Sequence, residues 1–363
     1  MASILYSPIH DWSARMRDIF LSPVVTAPLF FAATYAPNAV RQLILTIASK
    51  APISSLQRLS PEFDMSPLTD ALRVVFVLSV VRALNKTLNR LAANSWRLTR
   101  AKGWDWPTEV AVVTGGSSGI GKDIVEGLVA LGVRGVAVLD VQPLPKCLEA
   151  EPRVRYYQCD ITSSDAVRET ADAVRRDLGH PSILVNNAGI TSPVSILNIS
   201  EKFLRKIFDV NTVSHWFLAQ QFLPHMIKAD KGHVVTVASL ASYVALATAA
   251  DYSATKASAL AFHESLTCEL KHVYKAPNVL TTVVHPNFVR TPLVNDFAGH
   301  LEKSGVRMLT SRDIADPIVA QIKSRYGGQL ILPRGATPIS GIRGWPNWLQ
   351  ELVRDTIGRS SLA

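Results

Sequence analysis

Short apolar runs alternate with longer amphipathic segments along the second and third parts of the chain. Each run is rich in β-branched residues and ends at a turn, and each longer segment repeats apolar residues three and four positions apart. The predicted strands cover residues 110–114, 135–140, 154–158, 183–185, 233–238, 280–284 and 330–332. The predicted helices cover residues 120–131, 164–178, 200–228 and 251–274. This order predicts a single doubly wound α/β domain over residues 107–335, with a parallel sheet and a ligand site at its carboxyl edge.

The first third of the chain has a different pattern. Residues 19–40 hold no charged side chain but three prolines, which disfavour a straight helix. A second apolar run, residues 74–81, leads into residues 82–102, where six basic and no acidic side chains accompany spaced leucines. A basic amphipathic helix is typical of a segment on an anionic membrane surface. We expect residues 1–106 to form a hydrophobic, helical extension that associates with a membrane, as a hairpin in one leaflet or an irregular span. A soluble extension packed on the following domain is the alternative.

Charge and cysteine content narrow the function classes. The 363-residue chain has a net charge of +9, and residues 1–104, with twelve basic and five acidic side chains, carry +7 of it. This basic excess is not accompanied by base-contacting elements or stacking aromatics, so we expect no nucleic-acid partner. The three cysteines lack the spacing of a disulfide framework or a metal site, and we expect no metal. Asp11 and Asp18 stand where a secretory signal has basic residues, which argues against a cleaved signal.

A glycine-rich turn follows the first predicted strand and opens the first helix of the domain. Its predicted cofactor-binding residues are Gly115, Ser117, Ser118, Gly119, Ile120 and Gly121. Residues without a β-carbon let backbone amides approach a pyrophosphate, and the N-terminus of the helix adds partial positive charge. Strand, turn and helix in this order predict a Rossmann-like nucleotide site.

The second predicted strand ends at Asp140, about twenty residues after the glycine-rich turn. A carboxylate at this place accepts hydrogen bonds from the adenosine ribose hydroxyls and repels a 2′-phosphate. Asp140 therefore predicts a preference for NAD, with NADP as the other cofactor that the motif admits.

Tyr252 and Lys256 lie four residues apart on a predicted helix and therefore share one face of it. A phenol has an unperturbed pKa of about 10, and a nearby ammonium lowers that pKa toward neutrality. Ser239 ends the preceding strand, thirteen residues before Tyr252. Beside a nucleotide site, these side chains predict proton transfer coupled to a redox cofactor.

With these residues in view, residues 107–335 resemble the short-chain dehydrogenase/reductase family. The resemblance depends on five elements in one order: the glycine-rich turn, Asp160, the Asn-Asn-Ala-Gly run at residues 186–189, Asn211, and Ser239 followed by Tyr252 and Lys256. The N-terminal extension and Asp140 make the chain similar, within that family, to retinol and hydroxysteroid dehydrogenases that associate with membranes or lipid droplets.

The resemblance implies four catalytic roles. Tyr252 would be the general acid/base that exchanges a proton with the substrate oxygen. Lys256 would lower the pKa of the tyrosine and hydrogen-bond the nicotinamide ribose. Ser239 would hold and polarise the substrate oxygen, and Asn211 would complete a proton relay through a water molecule.

The resemblance also implies contacts with the cofactor. Asp160 would contact the adenine, Asn187 would line the cofactor channel, and Val289 and Thr291 would lie near the nicotinamide carboxamide. Many relatives have glycine where this chain has Asn287, and asparagine tolerates left-handed backbone geometry fairly well.

Together these features predict an NAD(P)-dependent oxidoreductase that interconverts an alcohol and a ketone or aldehyde on a lipophilic substrate such as a retinoid, a steroid or a lipid. The apolar loop at residues 291–312 would close over that substrate. The alternatives are a catalytically idle nucleotide-binding scaffold on membranes or lipid droplets, and a biosynthetic NADPH ketoreductase.

The resemblance further implies a homodimer that pairs the helices at residues 200–228 and 251–274. We expect a membrane-associated protein, on the endoplasmic reticulum or a lipid droplet, whose catalytic domain faces the cytosol. The amphipathic tail at residues 336–363 either rests at the membrane interface or docks on the catalytic domain.

Overall fold

The chain divides by its internal contacts into one unit formed by residues 11–91 and a larger one that contains residues 92–363. The computed structural model describes residues 16–50, 60, 62–303 and 305–362. The smaller unit is helical, and the larger unit is built around a sheet.

Three helices account for most of the described part of the smaller unit. They are α1 (Pro23–Tyr35), α2 (Pro37–Lys50) and α3 (Ser66–Ala93), the last of which runs into the larger unit. The hydroxyls of Thr26 on α1 and Ser79 on α3 lie 2.7 Å apart in a buried contact. Phe30 and Phe76 stack between the same helices, with ring centroids 5.5 Å apart. The predicted helical extension is thus confirmed as helical. No helix within the described ranges combines the length and the apolarity that crossing a membrane demands.

Seven parallel strands form the sheet of the larger unit. They are β1 (Val110–Thr114), β2 (Gly135–Asp140), β3 (Val154–Gln158), β4 (Ile183–Asn186), β5 (Gly232–Val237), β6 (Val279–Pro286) and β7 (Gly328–Leu332). Their order across the sheet is β3-β2-β1-β4-β5-β6-β7. The order reverses at β1 and β4, where a doubly wound sheet opens a crevice for ligands. The predicted α/β fold with a parallel Rossmann-like sheet is confirmed.

Helices cover both faces of this sheet. In chain order the described helices of the larger unit are α4 (Gly119–Leu131), α5 (Lys146–Glu149), α6 (Ser164–Asp177), α7 (Glu201–Phe208), α8 (Ser214–Ala229), α9 (Ala250–His272), α10 (Asn295–Lys303), α11 (Arg312–Ser324) and α12 (Asn347–Leu362). Because successive strand residues point to opposite faces, Val112 and Ala111 of β1 belong to two separate buried clusters. A strand buried on both faces needs the continuous apolar run that the sequence shows.

The structure breaks one predicted helix into three pieces. Residues 200–228 form α7, a π-helical turn at Asp209–Val213, and α8. A π turn widens the helix by one residue and is frequent at functional sites. It contains Asn211, which is fully buried.

Candidate active site

A cavity of about 850 Å³ lies at the carboxyl edge of the sheet. The glycine-rich turn after β1, the ends of β2, β4 and β5, and the segment after β6 all contribute to its walls. Most of the predicted site residues line it: Gly115, Ser118, Gly119, Ile120, Asp140, Asp160, Asn187, Ser239, Tyr252, Lys256, Val289 and Thr291. The structure therefore brings the glycine-rich turn and the side chains of Ser239, Tyr252 and Lys256 into one cavity.

The glycine-rich turn has positions that a side chain would not fit. Gly115 has a φ of +64°, and a β-carbon there would lie 2.9 Å from Cα of Ala188. A β-carbon on Gly121 would lie 2.0 Å from the main-chain oxygen of Gly115 and 2.6 Å from Nδ2 of Asn187. These distances are far below a normal contact, so glycine at both positions is what allows β1, the turn and β4 to pack together. Gly121 acts from beneath the turn and does not line the cavity.

The N-terminus of α4 fits an anionic group. Ser118 stands at its N-cap with an extended backbone and makes no capping hydrogen bond with its side chain, and the first turn holds no acidic residue. The uncapped amides and the helix dipole together form a site for a phosphate. The Thr291 side chain lies against the other side of the turn, since its Cγ2 would be 3.1 Å from a β-carbon added to Gly119. The residues present therefore fit a dinucleotide whose pyrophosphate rests on this turn.

Asp140 is held in place by backbone donors. The amide of Ser117 donates to Oδ2 at 3.0 Å, and the amide of Gln142 donates to Oδ1 at 2.9 Å. The Ser117 hydroxyl donates to the main-chain oxygen of Gln142 at 2.9 Å, and the side chain is buried outside the cavity lining. Ser117, predicted as a cofactor contact, thus supports the carboxylate of Asp140 in this structure.

Two further predicted residues organise the cofactor side of the cavity. Oδ1 of Asp160 accepts from the amide and the hydroxyl of Thr162, at 3.0 and 2.7 Å, which fixes the turn after β3. Nδ2 of Asn187 donates to the main-chain oxygens of Thr114 and Gly115, at 3.0 and 3.2 Å. Asn187 therefore ties the exit of β4 to the end of β1.

Tyr252 and Lys256 lie on the first turns of α9, as their spacing predicts. Nζ of Lys256 donates to the main-chain oxygen of Val237 at 2.9 Å and lies 5.7 Å from the centroid of the Tyr252 ring. Burial lowers the pKa of Lys256 to about 8. Burial also raises the pKa of Tyr252, and a hydrogen bond with the Ser239 side chain lowers it in part. Tyr252 and Ser239 are thus hydrogen-bonded at the end of β5, whereas the predicted lowering of the tyrosine pKa by Lys256 is not seen: the pKa of Tyr252 is raised, with burial as the largest cause.

Ser239 and Asn211 are held differently. Oγ of Ser239 accepts from the amide of Ala241 at 3.1 Å, and the hydroxyl lines the cavity. Asn211 does not line it: Oδ1 accepts from the amide of Ile190 at 2.8 Å, and Nδ2 donates to the Ile190 oxygen and to the Thr255 hydroxyl. The side chain of Asn211 therefore clamps the π turn to the segment after β4.

Three segments add apolar side chains to the cavity wall, beside polar lining residues such as Lys206, Thr191 and Thr248. The loop after β5 contributes Leu240 and Val244, and the predicted closing loop contributes its apolar side chains Leu293, Val294, Phe297 and Leu301. Ile339 and Ile357, beyond the last strand, complete the wall. The tail packs on the loop after β5 through one buried cluster, so it docks on the catalytic domain. The sequence pattern did not connect this tail with the cavity, because its contacts lie about a hundred residues away along the chain.

Comparisons with known proteins agree with this geometry. Residues 109–301 match the family model described as short chain dehydrogenase. Over 214 residues the chain is 37% identical to the dehydrogenase RED2 of Cochliobolus heterostrophus, covering 58% of this chain and 80% of that protein. It is 35% identical over 193 residues to the human epidermal retinol dehydrogenase 2, covering 50% of this chain and 61% of that protein, which is under two thirds of its length.

A solved structure supports the fold. A short-chain type dehydrogenase/reductase from Mycobacterium marinum superposes with a TM-score of 0.58 at 24% identity, covering 64% of this chain and 97% of that one. The matched family model spans more than half of the 363 residues, and it begins one residue before β1. The predictions of the family and of an oxidoreductase are confirmed. The chain belongs to the short-chain dehydrogenase family and is an NAD(P)-dependent dehydrogenase/reductase.

Proposed function

We propose that the protein is an NAD-dependent dehydrogenase that interconverts a lipophilic alcohol and its ketone or aldehyde. One observation carries this proposal: the Tyr252 and Ser239 hydroxyls and the glycine-rich turn line the same cavity as a set of apolar side chains that includes Leu293, Phe297 and Ile357. Such a site orients one oxygen and buries the rest of the molecule in apolar contacts.

The proton chemistry follows from the positions of the side chains. Ser239 holds the substrate hydroxyl. During oxidation Tyr252 accepts the substrate proton as the phenolate, and during reduction it donates that proton as the phenol. Burial lowers the pKa of Lys256 to about 8, and a negative group that forms beside it, such as the Tyr252 phenolate, favours its charged form. The nicotinamide, when bound, supplies the hydride acceptor.

The preference for NAD is proposed from the Asp140 carboxylate. Two backbone amides hold it at the end of β2 beside the glycine-rich turn, where it would accept hydrogen bonds from the ribose hydroxyls. Within the described residues that line the cavity there is no arginine, the residue that accommodates a 2′-phosphate. Both features favour a cofactor with free ribose hydroxyls.

The substrate class is proposed from the apolar wall and from one relative. The cavity places Phe297, Ile339 and Ile357 among its lining residues. The similar human protein carries the name epidermal retinol dehydrogenase 2. A retinoid, a steroid or a long-chain alcohol presents the single oxygen and the apolar body that this cavity would take.

A panel of retinol, a hydroxysteroid and a long-chain fatty alcohol, each assayed with NAD and with NADP, tests the proposal. We expect turnover of at least one alcohol, with a higher kcat/KM for NAD. Nucleotide binding without turnover of any substrate, in either direction, would instead support an idle scaffold. Efficient reduction of carbonyls with NADPH alone would support a biosynthetic ketoreductase.

Association with a cytosol-facing membrane or lipid-droplet surface is proposed from α3. Val74, Leu78 and Val81 recur at helical spacing and are each more than half exposed. The exposed side chains of Arg82, Lys86 and Arg90 continue the same helix. We expect the full chain to sediment with phosphatidylserine vesicles, and the triple variant Val74→Ser, Leu78→Ser, Val81→Ser to stay in the supernatant. Equal sedimentation of the two proteins would contradict this assignment.

A homodimer through α8 and α9 is proposed from an aromatic pair. Trp216 on α8 is 43% exposed and packs against Phe262 of α9, with ring centroids 4.7 Å apart. A large exposed aromatic side chain on a buried helix is a typical interface anchor. Light scattering should give a dimer for the parent chain and a monomer for Trp216→Glu; a monomeric parent would contradict the proposal.

A further inference from the structure

His285, near the carboxyl end of β6, lies beside the turn that carries Ser239. Its Nδ1 is 2.9 Å from Oγ of Ser242 and 3.1 Å from the main-chain oxygen of Ser239. Its Nε2 is 3.0 Å from the hydroxyl of Tyr243. The ring is fully buried. Three other buried histidines of the described chain each leave Nδ1 without a hydrogen-bond partner: His215, His233 and His263. Both ring nitrogens of His285 are therefore engaged, and both with the same turn.

The neighbours of His285 determine which nitrogen carries the proton. The main-chain oxygen of Ser239 only accepts hydrogen bonds, so the nitrogen that faces it must donate. The Ser242 hydroxyl donates to that same oxygen at 2.6 Å, which leaves its Oγ to accept from Nδ1. On the other side, Gln329 donates to the Tyr243 oxygen, and the Tyr243 hydroxyl in turn donates to Nε2. Only the neutral ring protonated at Nδ1 satisfies all these contacts.

The charges around the ring favour the same form. Burial lowers the pKa of His285 to about 4, the hydrogen bond with the Ser239 backbone raises it, and Lys256 lowers it. Two other titratable groups lie beside it: Tyr243, whose pKa burial raises to about 12, and His263, whose pKa is lowered by burial and by His285. Arg343 adds positive charge where it donates to the Ser242 and Tyr243 oxygens. A second proton would make the ring a cation near Lys256 and Arg343, while the nearby acidic group, Glu264, acts on Tyr243.

The turn of residues 239–242 is the part of the site that these contacts hold. Ser239 caps a single 3-10 turn, and apart from Tyr252 its hydroxyl has only the Ala241 amide at 3.1 Å and a long contact of 3.4 Å to the Pro286 oxygen. The position of this hydroxyl therefore depends on the backbone that His285 and Arg343 hold. We propose that His285, as its neutral Nδ1–H tautomer, is a positioning residue that holds the backbone of Ser239 so that its hydroxyl meets the substrate oxygen. This inference rests on the proposed function.

Two substitutions separate the two ends of the ring. In His285→Asn, the side-chain amide reaches the place of Nδ1 and keeps a donor toward Ser239. In His285→Gln, the amide extends to the place of Nε2 and leaves the Ser239 side without a donor. With the best alcohol of the substrate panel, we expect the asparagine variant to keep most of its kcat. The glutamine variant should lose about 10- to 100-fold in kcat, because a displaced catalytic group costs about that much. The KM for NAD should stay unchanged in both.

His233→Asn and His233→Gln are the matched controls. His233 is equally buried and bonded to the Thr282 hydroxyl, but it lies at the start of β5, at the opposite edge of the sheet. Both controls should lose stability in urea and keep kcat. Equal kcat values for the two His285 variants, or losses that follow stability alone, would refute the positioning role.

The tautomer itself can be measured without any turnover. Two-bond nitrogen–proton correlations of the histidine rings at neutral pH, assigned by the signals missing from His285→Asn, report which nitrogen is protonated. We expect Nδ1–H for His285, and an Nε2–H ring would overturn the proposal. Because this measurement needs no substrate, a failure of the proposed function and a failure of this inference give different results.

Discussion

The two edges of the sheet both carry buried polar groups, but they use them differently. At the carboxyl edge, the Tyr252 and Ser239 hydroxyls and the Asp140 carboxylate line a cavity. At the amino edge, Glu109 is almost fully buried and all of its bonds stay within the protein. Its Oε1 accepts from Nζ of Lys231 at 2.5 Å, and its Oε2 accepts from the Ser182 hydroxyl at 2.5 Å.

This difference separates chemistry from stability. The polar groups at the carboxyl edge can still form hydrogen bonds with a ligand. The Glu109–Lys231 ion pair at the amino edge has its partners within the protein. Its residues join the start of β1 to the segments that precede β4 and β5. We therefore expect substitutions at the first edge to change turnover, and substitutions at the second to change the free energy of unfolding.

Tyr252→Phe should have the largest effect on turnover. It removes the hydroxyl that transfers the proton, and general acid–base catalysis typically contributes 10²- to 10⁴-fold, so kcat should fall about 10³-fold. Unfolding in urea and binding of NADH, followed by fluorescence, should change little. Activity close to that of the parent would show that another group transfers the proton.

Glu109→Gln should have the opposite signature. It leaves Lys231 partly buried without its counter-charge, which should cost about 3 kcal/mol of unfolding free energy in urea, while kcat stays unchanged. Glu201→Gln is the matched control, because its pair with Arg205 is exposed and should contribute less than about 1 kcal/mol. A loss of kcat in the Glu109 variant at full stability would remove the distinction between the two edges.

The histidines extend the comparison to pH. Burial lowers the pKa of His233 to about 3, against an unfolded value near 6.5. Between these pKa values the unfolded state binds a proton that the folded state does not bind. The free energy of unfolding that His233 contributes is therefore complete above pH 6.5 and decreases as the pH falls, by up to about 1.4 kcal/mol per pH unit. The His233→Asn variant should show a shallower loss than the parent in urea unfolding at pH 7.5 and pH 5. An unchanged slope would show that His233 is charged in the folded protein.

Asp140→Asn should have the smallest effect on turnover, through the choice of cofactor. An amide still bonds the ribose hydroxyls but no longer repels a 2′-phosphate, so the ratio of kcat/KM for NAD to that for NADP should fall about tenfold, or about 1.4 kcal/mol. One of the two backbone amides that donate to the carboxylate would then face the NH2 group, so the free energy of unfolding should fall by about 1 kcal/mol. An unchanged ratio would place the selection of the cofactor elsewhere in the cavity.

The sequence predicted those parts of the fold whose signal is local. Each strand is a short apolar run, and its boundaries agree with the structure to within a few residues, as for β4 and β6. Gly115 and Gly121 were recognised because strand, turn and helix follow one another directly. The break in the helix at Asn211 was missed, because a π turn keeps the apolar spacing of the segment almost unchanged.

Other features depend on pairs of residues that lie far apart in the chain. Glu109 and Lys231 are separated by 122 positions, and nothing near either residue indicates its partner. His285 offered one signal, a histidine near the end of a buried strand, but its role depends on the turn of residues 239–242. Ile339 and Ile357 line the cavity only because the tail folds back on the loop after β5.

The strands, the nucleotide-binding turn and the type of reaction could be predicted from local patterns, because strand periodicity, missing β-carbons and the spacing of Tyr252 and Lys256 act over a few residues. The groups that surround the reacting hydroxyls become known from the folded chain alone. It turned Ser117 and Asn211 into supports, brought the tail into the apolar wall and enclosed His285 beneath Ser239. Those outcomes depend on burial and on hydrogen bonds between distant segments, which exist only after the chain has folded.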